Sequence, residues 1–258
     1  MKKRIRKYVF SDMHEIQGYL SPVDALTIAA VLSAQQDNGL TGGIAEIGVF
    51  YGRSFFLMQL VANGSDSCFA ADLFDIRAHR NIDDQYDQFI KNGRKLGFAV
   101  NEEQIYVGDS KFLSADYIRE RVGSCRLFHI DGGHHWQHVA VDSQIAMNSM
   151  ADHGVIVFDD FFNPEWPDVS LAAVDFLTSQ RHLKPFAITN RKLYVSKADH
   201  VDAYQNWVCS SEFTTKIPRR EVNLFDAPVP FLKESLDRKI GFFLLTRYLR
   251  GLGANWLY

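Results

Sequence analysis

The chain has 258 residues, of which 47% are hydrophobic and 23% are charged, and its formal net charge is −3. These values are ordinary for a globular protein, and the length allows one large α/β domain with an appendage or two small domains. A slightly acidic chain has no overall field that attracts nucleic acid, so we expect no nucleic-acid partner. No apolar run approaches the ~20 residues of a membrane span, so we also expect no transmembrane segment.

The beginning of the chain and the cysteines favour a cytoplasmic protein. Only Tyr8, Val9 and Phe10 follow the basic N-terminal residues, which is far too short for the apolar core of a signal peptide. The three cysteines are far apart and form no C-x-x-C pair. Small buried thiols of this kind fit a reducing compartment.

Apolar patterning predicts a helical N-terminal segment over residues 1–39, with a helix that starts at Ser21-Pro22. Strand-like and helix-like segments then alternate five times. The strands are predicted at 44–48, 68–72, 104–108, 126–131 and 155–159, and the helices at 52–62, 83–96, 112–121, 135–150 and 169–179. Such alternation predicts a parallel sheet with helices on both faces.

Two further strands, 185–189 and 192–196, are separated by Asn190-Arg191, which predicts a hairpin and an antiparallel last strand. We therefore predict a Rossmann-like, doubly wound, seven-stranded α/β sheet over residues 40–197. Residues 198–258 are predicted to form a C-terminal extension.

Within that extension, residues 198–230 look irregular and 231–250 are predicted as an amphipathic helix with Leu232, Leu236 and Ile240 on one stripe. Such a stripe usually packs in a core, here on the domain or on a second subunit of a homo-oligomer. Contact with a membrane surface or a lipid-linked substrate is the alternative.

The turn after the first predicted strand, residues 46–52, has the spacing E-x-G-x-x-x-G. A dinucleotide site needs G-x-G-x-x-G, because three close backbone approaches hold the pyrophosphate. A carboxylate two residues before the first glycine would repel a phosphate, but it can organise a loop around an amine-bearing ligand. This favours S-adenosylmethionine, a sulfonium with an amino-acid head. The cofactor-binding residues predicted here are Glu46, Gly48, Tyr51, Gly52 and Ser54.

Each of the five predicted parallel strands carries an acidic residue at its carboxyl end, where open α/β sheets bind their ligands. Asp72 can accept the ribose hydroxyls of a nucleoside, and Asp109 with Ser110 can receive the adenine amino group. Helix capping explains Asp109 nearly as well. Together with Asp131, these residues predict an adenosine pocket.

Asp131 and the pair Asp159-Asp160 end neighbouring predicted strands, so their carboxylates should converge. Three oxygen ligands with water suit a hard divalent cation, Mg²⁺ first. Such an ion lowers the pKa of a substrate hydroxyl, and His134 is placed to remove the proton, which makes Asp131 and His134 the predicted catalytic residues. Zinc at the histidines within 134–138 is a weaker alternative, and turn capping could explain Asp159-Asp160 without a metal.

Three runs of sequence together resemble one enzyme family. They are Ala45-Glu46-Ile47-Gly48 with Gly52-Arg53-Ser54, Ile130-Asp131-Gly132-Gly133-His134, and Val157-Phe158-Asp159-Asp160-Phe161. They resemble class I S-adenosylmethionine-dependent methyltransferases. More narrowly, they are similar to the subgroup of macrolide-sugar O-methyltransferases of the macrocin and mycinamicin type and cephalosporin-hydroxylase-like proteins.

The resemblance covers about residues 40–197 and implies Mg²⁺ at Asp131, Asp159 and Asp160, with His134 as the base. It implies transfer of the sulfonium methyl group to a hydroxyl of a small molecule or glycan, in the first place a sugar of a natural product or polysaccharide.

Several other functions share parts of this pattern. A dinucleotide oxidoreductase is disfavoured because G-x-G-x-x-G and a Tyr-x-x-x-Lys helix are absent from the sequence. A nucleic-acid methyltransferase is disfavoured because Asp131-Gly132-Gly133-His134 stands where an Asn/Asp-Pro-Pro-aromatic turn is expected. A cephalosporin-hydroxylase-like metal-dependent oxygenase and a non-catalytic S-adenosylmethionine-binding partner module stay open as alternatives.

Overall fold

The computed structural model describes residues 1–62, 68–75, 84–98 and 101–234. Within them the strands are β1 (Gly43–Ile47), β2 (Cys68–Asp72), β3 (Ile105–Val107), β4 (Cys125–Ile130), β5 (Met150–Phe158), β6 (Leu183–Ile188), β7 (Leu193–Lys197), β8 (Arg219–Leu224) and β9 (Ala227–Leu232). The α-helices are α1 (Lys2–Phe10), α2 (Pro22–Asp37), α3 (Arg53–Ala62), α4 (Gln85–Lys95), α5 (Ala115–Val122), α6 (Trp136–Ser149), α7 (Pro167–Ser179) and α8 (Val201–Ser210). None of the helices described is both long and apolar enough to cross a lipid bilayer.

The strands form one sheet in the order β3-β2-β1-β4-β5-β7-β6-β9-β8. Strands β3, β2, β1, β4 and β5 pair in parallel. Strand β7 lies antiparallel between β5 and β6. The Rossmann-like α/β fold, its parallel sheet and the antiparallel strand of the predicted hairpin are therefore confirmed.

The described residues alone place nine strands in the sheet, so the prediction of seven was wrong. Residues 198–230, predicted to be irregular, contain α8, β8 and most of β9. Strand β9 carries Pro228 and Pro230, and a proline within a strand-like run normally argues against a central strand. The hairpin of β8 and β9 tolerates them because β9 pairs with β6 only at Ile188 and Phe231.

The amphipathic helix predicted over residues 231–250 is contradicted at its start. Phe231 and Leu232 belong to β9, because they pair with β8 and continue the sheet. Residues 235–250 of the predicted helix lie outside the described residues, and so does the rest of the helical appendage.

Helix α2 begins where the Ser-Pro signal predicts. The Ser21 hydroxyl oxygen accepts a hydrogen bond from the Asp24 backbone N–H, and Pro22 takes the first helical position, where a missing N–H costs nothing. The carboxylate of Asp24 also accepts a hydrogen bond from the Thr189 hydroxyl. This contact ties α2 to the turn between β6 and β7.

Apolar side chains cover both faces of the sheet. Ile44 and Leu127 pack with α1, α2 and α3 on one face. Ala45 and Phe128, their neighbours in sequence, pack with α5, α6 and α7 on the other face. Because successive strand residues point to opposite faces and both faces are covered, the central strands are mostly apolar, with Glu46, Arg126 and His129 as buried polar exceptions.

Candidate active site

A cavity of about 570 Å³ lies at the carboxyl ends of the parallel strands, a size typical of a small-ligand site. Its wall includes six of the predicted cofactor-binding residues: Gly48, Ser54, Asp72, Asp109, Ser110 and Asp131. Glu46, Tyr51 and Gly52 belong to the same turn but do not line the cavity within the described part of the chain. The predicted cofactor residues are thus divided between the cavity wall and a supporting layer behind it.

Gly48 lets the turn after β1 pass close to the end of β4. Its φ is +89°, and a Cβ atom there would lie 1.8 Å from the carbonyl oxygen of Asp131. Both the backbone conformation and the lack of space therefore require glycine at this position. The close approach brings the predicted cofactor turn against the predicted catalytic residues.

Asp72 is fixed at the cavity wall by two backbone amides. The Phe50 N–H donates to Oδ2 at 2.8 Å and the Phe74 N–H donates to Oδ1 at 2.9 Å. Burial raises the pKa of Asp72, and the two amide hydrogen bonds offset only part of that effect. The carboxylate is held rigidly, and an oxygen can accept more than one hydrogen bond.

Asp109 caps the short 3₁₀ turn at Ser110–Phe112. Its Oδ1 accepts a hydrogen bond from the Lys111 N–H at 2.9 Å. The capping role considered from the sequence is therefore present, and Asp109 and Ser110 also line the cavity.

Behind Ser110 lies Asp142, a fully buried residue of α6 that packs under Gly132. Burial raises the pKa of Asp142 to about 7.

A carboxyl whose pKa is raised in the folded state stabilises the fold at low pH. That stabilisation is lost as the pH rises from the unfolded-state pKa, about 3.9, to the folded-state pKa. Replacement of Asp142 by asparagine should therefore stabilise the protein at pH 8 by up to about 4 kcal/mol and have little effect near pH 4. Urea unfolding of both proteins at pH 4, 6 and 8 measures this; a difference that does not grow with pH would contradict it.

Buried polar side chains form a connected chain at the cavity, and one of its members, Lys192, was not among the predicted site residues. His129 Nδ1 lies 2.6 Å from Glu46 Oε1, and His129 Nε2 lies 2.9 Å from Lys192 Nζ. Lys192 Nζ in turn lies 2.6 Å from Asp159 Oδ2. The Ser54 hydroxyl donates to Glu46. The chain therefore connects the predicted cofactor turn to the predicted metal ligands.

Asp131 and Asp159 stand side by side at the ends of β4 and β5. Burial raises the pKa of Asp159, but the nearby positive charge, chiefly the ammonium of Lys192, and hydrogen bonds together outweigh burial and hold that pKa below its usual range. Burial and the charge of Asp159 raise the pKa of Asp131 well above its usual range. The surroundings therefore shift the pKa values of these two neighbouring carboxyls in opposite directions.

His134 lies at the cavity wall with its ring held from two sides. Its ring stacks on the indole of Trp166 with centroids 4.5 Å apart, and its Nε2 lies 3.2 Å from Asp160 Oδ2. Asp160 Oδ1 accepts hydrogen bonds from Asn163 Nδ2 at 2.7 Å and Arg191 Nη1 at 3.2 Å. Burial raises the pKa of Asp160, but hydrogen bonds from His134 and Asn163 bring it below its usual value. The result is a histidine oriented by an ionised carboxylate.

The predicted metal ligands meet only in part. Ligand atoms of Asp131, His134 and Asp160 lie within 4.8 Å of one another, which fits a divalent cation. Asp159 is occupied, because Oδ2 pairs with Lys192 and Oδ1 accepts the Asp160 N–H at 2.8 Å. His134, the predicted base, therefore takes a place in this cluster of ligand atoms, and Asp159, a predicted ligand, is instead paired with Lys192.

Comparison with known proteins agrees with this geometry. The model of a family described as "Methyltransferase domain" matches residues 45–161. No curated protein matches the chain. Among solved structures, the O-methyltransferase NovP is 13% identical with a TM-score of 0.57, over 69% of this chain and 80% of that one. CalS11, a TDP-rhamnose 3′-O-methyltransferase of calicheamicin biosynthesis, is 16% identical with a TM-score of 0.52, over 68% of this chain and 80% of that one.

At these identities the solved structures establish the fold, and the family match establishes the kind of domain. The match begins in β1, spans the glycine turn and ends just after Asp159-Asp160, so it contains the whole set of strand ends that forms the cavity. The matched segment, residues 45–161, is similar to a methyltransferase domain, and the chain shares the fold of these two O-methyltransferases.

Proposed function

We propose that this enzyme transfers the methyl group of S-adenosylmethionine to a hydroxyl of a sugar-containing acceptor, either a natural product or a polysaccharide. The observation that carries the proposal is the oriented pair of His134 and Asp160 in the cavity that the glycine turn also lines. The proposed cofactor-binding residues and the proposed base, His134, therefore line the same cavity.

The cofactor half of the site is formed by the strand ends. Asp72 accepts the ribose hydroxyls, and Asp109 with Ser110 receives the adenine. Gly48 and Ser54 border the amino-acid portion, with Glu46, Tyr51 and Gly52 shaping the turn behind them. This assignment is supported by the cavity wall and by the fixed hydrogen bonds that hold Asp72.

The acceptor half follows from His134. With Nε2 directed at Asp160, Nδ1 is the ring nitrogen that can take the proton of the acceptor hydroxyl. The hydroxyl oxygen attacks the methyl carbon as the carbon–sulfur bond breaks, and S-adenosylhomocysteine leaves with the electron pair. The Asp160 carboxylate stabilises the imidazolium that forms, as carboxylates do in other histidine pairs.

A divalent cation, Mg²⁺ first, would be held by Asp131 and Asp160, with Asp159 as the third proposed ligand. When bound, it would lower the pKa of the acceptor hydroxyl. Asp131 and His134 are the proposed catalytic residues, and the closeness of their ligand atoms to Asp160 supports a metal there.

A sugar acceptor is supported by the aromatic side chains of the cavity wall. Tyr19 is 91% exposed and Trp166 is 40% exposed, and both line the cavity. The apolar C–H surface of a sugar can pack on an exposed aromatic ring while the sugar hydroxyls stay hydrated. The sugar nucleotide named for CalS11 makes TDP-sugars the natural first acceptors to try.

The metal-dependent oxygenase is less well supported. A non-haem iron oxygenase uses two histidines and one carboxylate. Each candidate metal cluster found among the described residues contains one histidine and two carboxylates instead.

The proposal is tested by incubating the protein with methyl-labelled S-adenosylmethionine and a panel of TDP-sugars and glycosylated natural products. Label in a product that is one methyl group heavier by mass spectrometry is the expected result. Label that stays in the cofactor with all acceptors, from a protein that binds S-adenosylhomocysteine, would reject the sugar acceptor class.

A further inference from the structure

Lys192 places a fixed positive charge among the acids of the proposed metal site. Its side chain is 1% exposed, and its Nζ lies 2.6 Å from Asp159 Oδ2 and 2.9 Å from His129 Nε2. A buried lysine of this kind is rare unless it is paired, so the Asp159 contact accounts for its presence.

The backbone of Lys192 is held as firmly as its ammonium group. Its N–H donates to the Thr189 hydroxyl oxygen at 2.9 Å, and Leu193, the next residue, pairs with Phe158 of β5. Asp159 directly follows Phe158. The register of β5 and β7 therefore places Lys192 and Asp159 next to each other.

An ammonium in this position competes with a divalent cation. The ammonium already occupies Asp159 Oδ2, and two cations a few ångströms apart in a site of low polarity repel each other strongly. The number of carboxylate ligands largely sets the affinity of an oxygen site for such an ion. Asp160 is also paired, with the half-exposed Arg191 at 3.2 Å, whereas the cation that holds Asp159 is buried.

We propose that Lys192 is an internal cation that holds Asp159 and thereby keeps divalent metal binding weak, and that removing its charge creates a tighter three-aspartate metal site. This inference rests on the metal site of the proposed function. Lys192 lines the cavity and acts here as a positioning residue for Asp159.

The test compares Mn²⁺ affinity, by electron paramagnetic resonance of free Mn²⁺, in the full-length wild type, Lys192→Met and Lys197→Met, each with S-adenosylhomocysteine. Lys197 is the matched control, because it ends the strand that Lys192 directly precedes and pairs with Asp152 at the surface. Lys192→Met should bind Mn²⁺ at least tenfold more tightly than the wild type, and Lys197→Met should match the wild type. Equal or weaker Mn²⁺ binding by a folded Lys192→Met protein would overturn the proposal.

A second variant shows whether Asp159 carries the effect. The double variant Asp159→Asn with Lys192→Met removes both charges and should bind Mn²⁺ no more tightly than the wild type. Tighter binding by the double variant would contradict the role given to Asp159.

Folding of Lys192→Met is itself informative, since the variant leaves the Asp159 carboxylate without its cation. Mn²⁺ should replace the ammonium and raise the melting temperature of this variant more than that of the wild type. A variant that stays unfolded in millimolar Mn²⁺ would also overturn the proposal. Failure of the wild type to bind S-adenosylhomocysteine would instead reject the proposed function, so the two failures are distinguishable.

Discussion

Replacement of His134 by alanine is expected to lower the turnover number of methyl transfer by about 10²–10⁴-fold, the usual loss when a general base is removed. The affinity for S-adenosylhomocysteine should stay unchanged, because the proposed role of His134 is toward the acceptor. Steady-state kinetics with the acceptor found in the labelling assay and calorimetry with the cofactor product measure the two effects.

The neighbouring His135→Ala variant is the control, because His135 is exposed and precedes α6 without facing the cavity wall. It should retain wild-type turnover. A His134→Ala enzyme with wild-type turnover would show that another group removes the proton.

The second large effect is expected for stability. Asp159→Ala should reduce the free energy of unfolding by about 3–5 kcal/mol, because it leaves the ammonium of Lys192 buried without its carboxylate. Asp152→Ala is the matched control: Asp152 also pairs with a lysine of β7, Lys197, at 2.6 Å, but it is highly exposed. Exposed ion pairs contribute little, so this variant should be close to the wild type in urea unfolding.

The pH dependence of the Asp159 variant follows from the depressed pKa of that carboxyl. A depressed folded-state pKa gives stability that is present above the unfolded-state value, about 3.9, and is lost as pH falls through the folded-state value. The difference between wild type and Asp159→Ala should therefore be full at pH 7 and shrink below about pH 4. A difference that persists undiminished in acid would mean that packing, and not the ion pair, accounts for the loss.

The strand ends were predictable from the sequence because a parallel sheet follows simple rules. Each buried apolar run ends where a polar residue appears, and the parallel strands bring those ends to one edge. This rule predicts Asp72, Asp131 and Asp159 at one edge of the sheet, and the structure places all three on the cavity wall. The glycine turn was predictable for the same reason, since its φ values and close approaches demand glycine.

The partners of those acids were not predictable, because they come from distant parts of the chain. Lys192 begins a run that reads as an ordinary strand, and a lysine at a hairpin end is normally solvated. Only the antiparallel insertion of β7 beside β5 sets it against Asp159. The three aspartates alone therefore predicted a metal site, whereas the structure places the ammonium of Lys192 beside one of them, Asp159.

The hairpin of β8 and β9 was missed for a local reason. Its turn, Phe225-Asp226, has positive φ at both residues, a conformation usually marked by asparagine or glycine. The exposed, charged pattern of β8 also lacks the alternation of a half-buried strand. Strands at the edge of a sheet bury few side chains, so their sequences show little of the apolar alternation by which a strand is predicted.

The most direct test of the account is titration calorimetry of S-adenosylhomocysteine into the wild type and Asp72→Ala, with Asp116→Ala, an exposed acid of α5, as the control. Binding in the micromolar range by the wild type and Asp116→Ala, with at least a tenfold loss in Asp72→Ala, is the predicted result. Equal binding by all three proteins would contradict the placement of the ribose at Asp72. Absence of binding by the wild type would contradict the cofactor site as a whole.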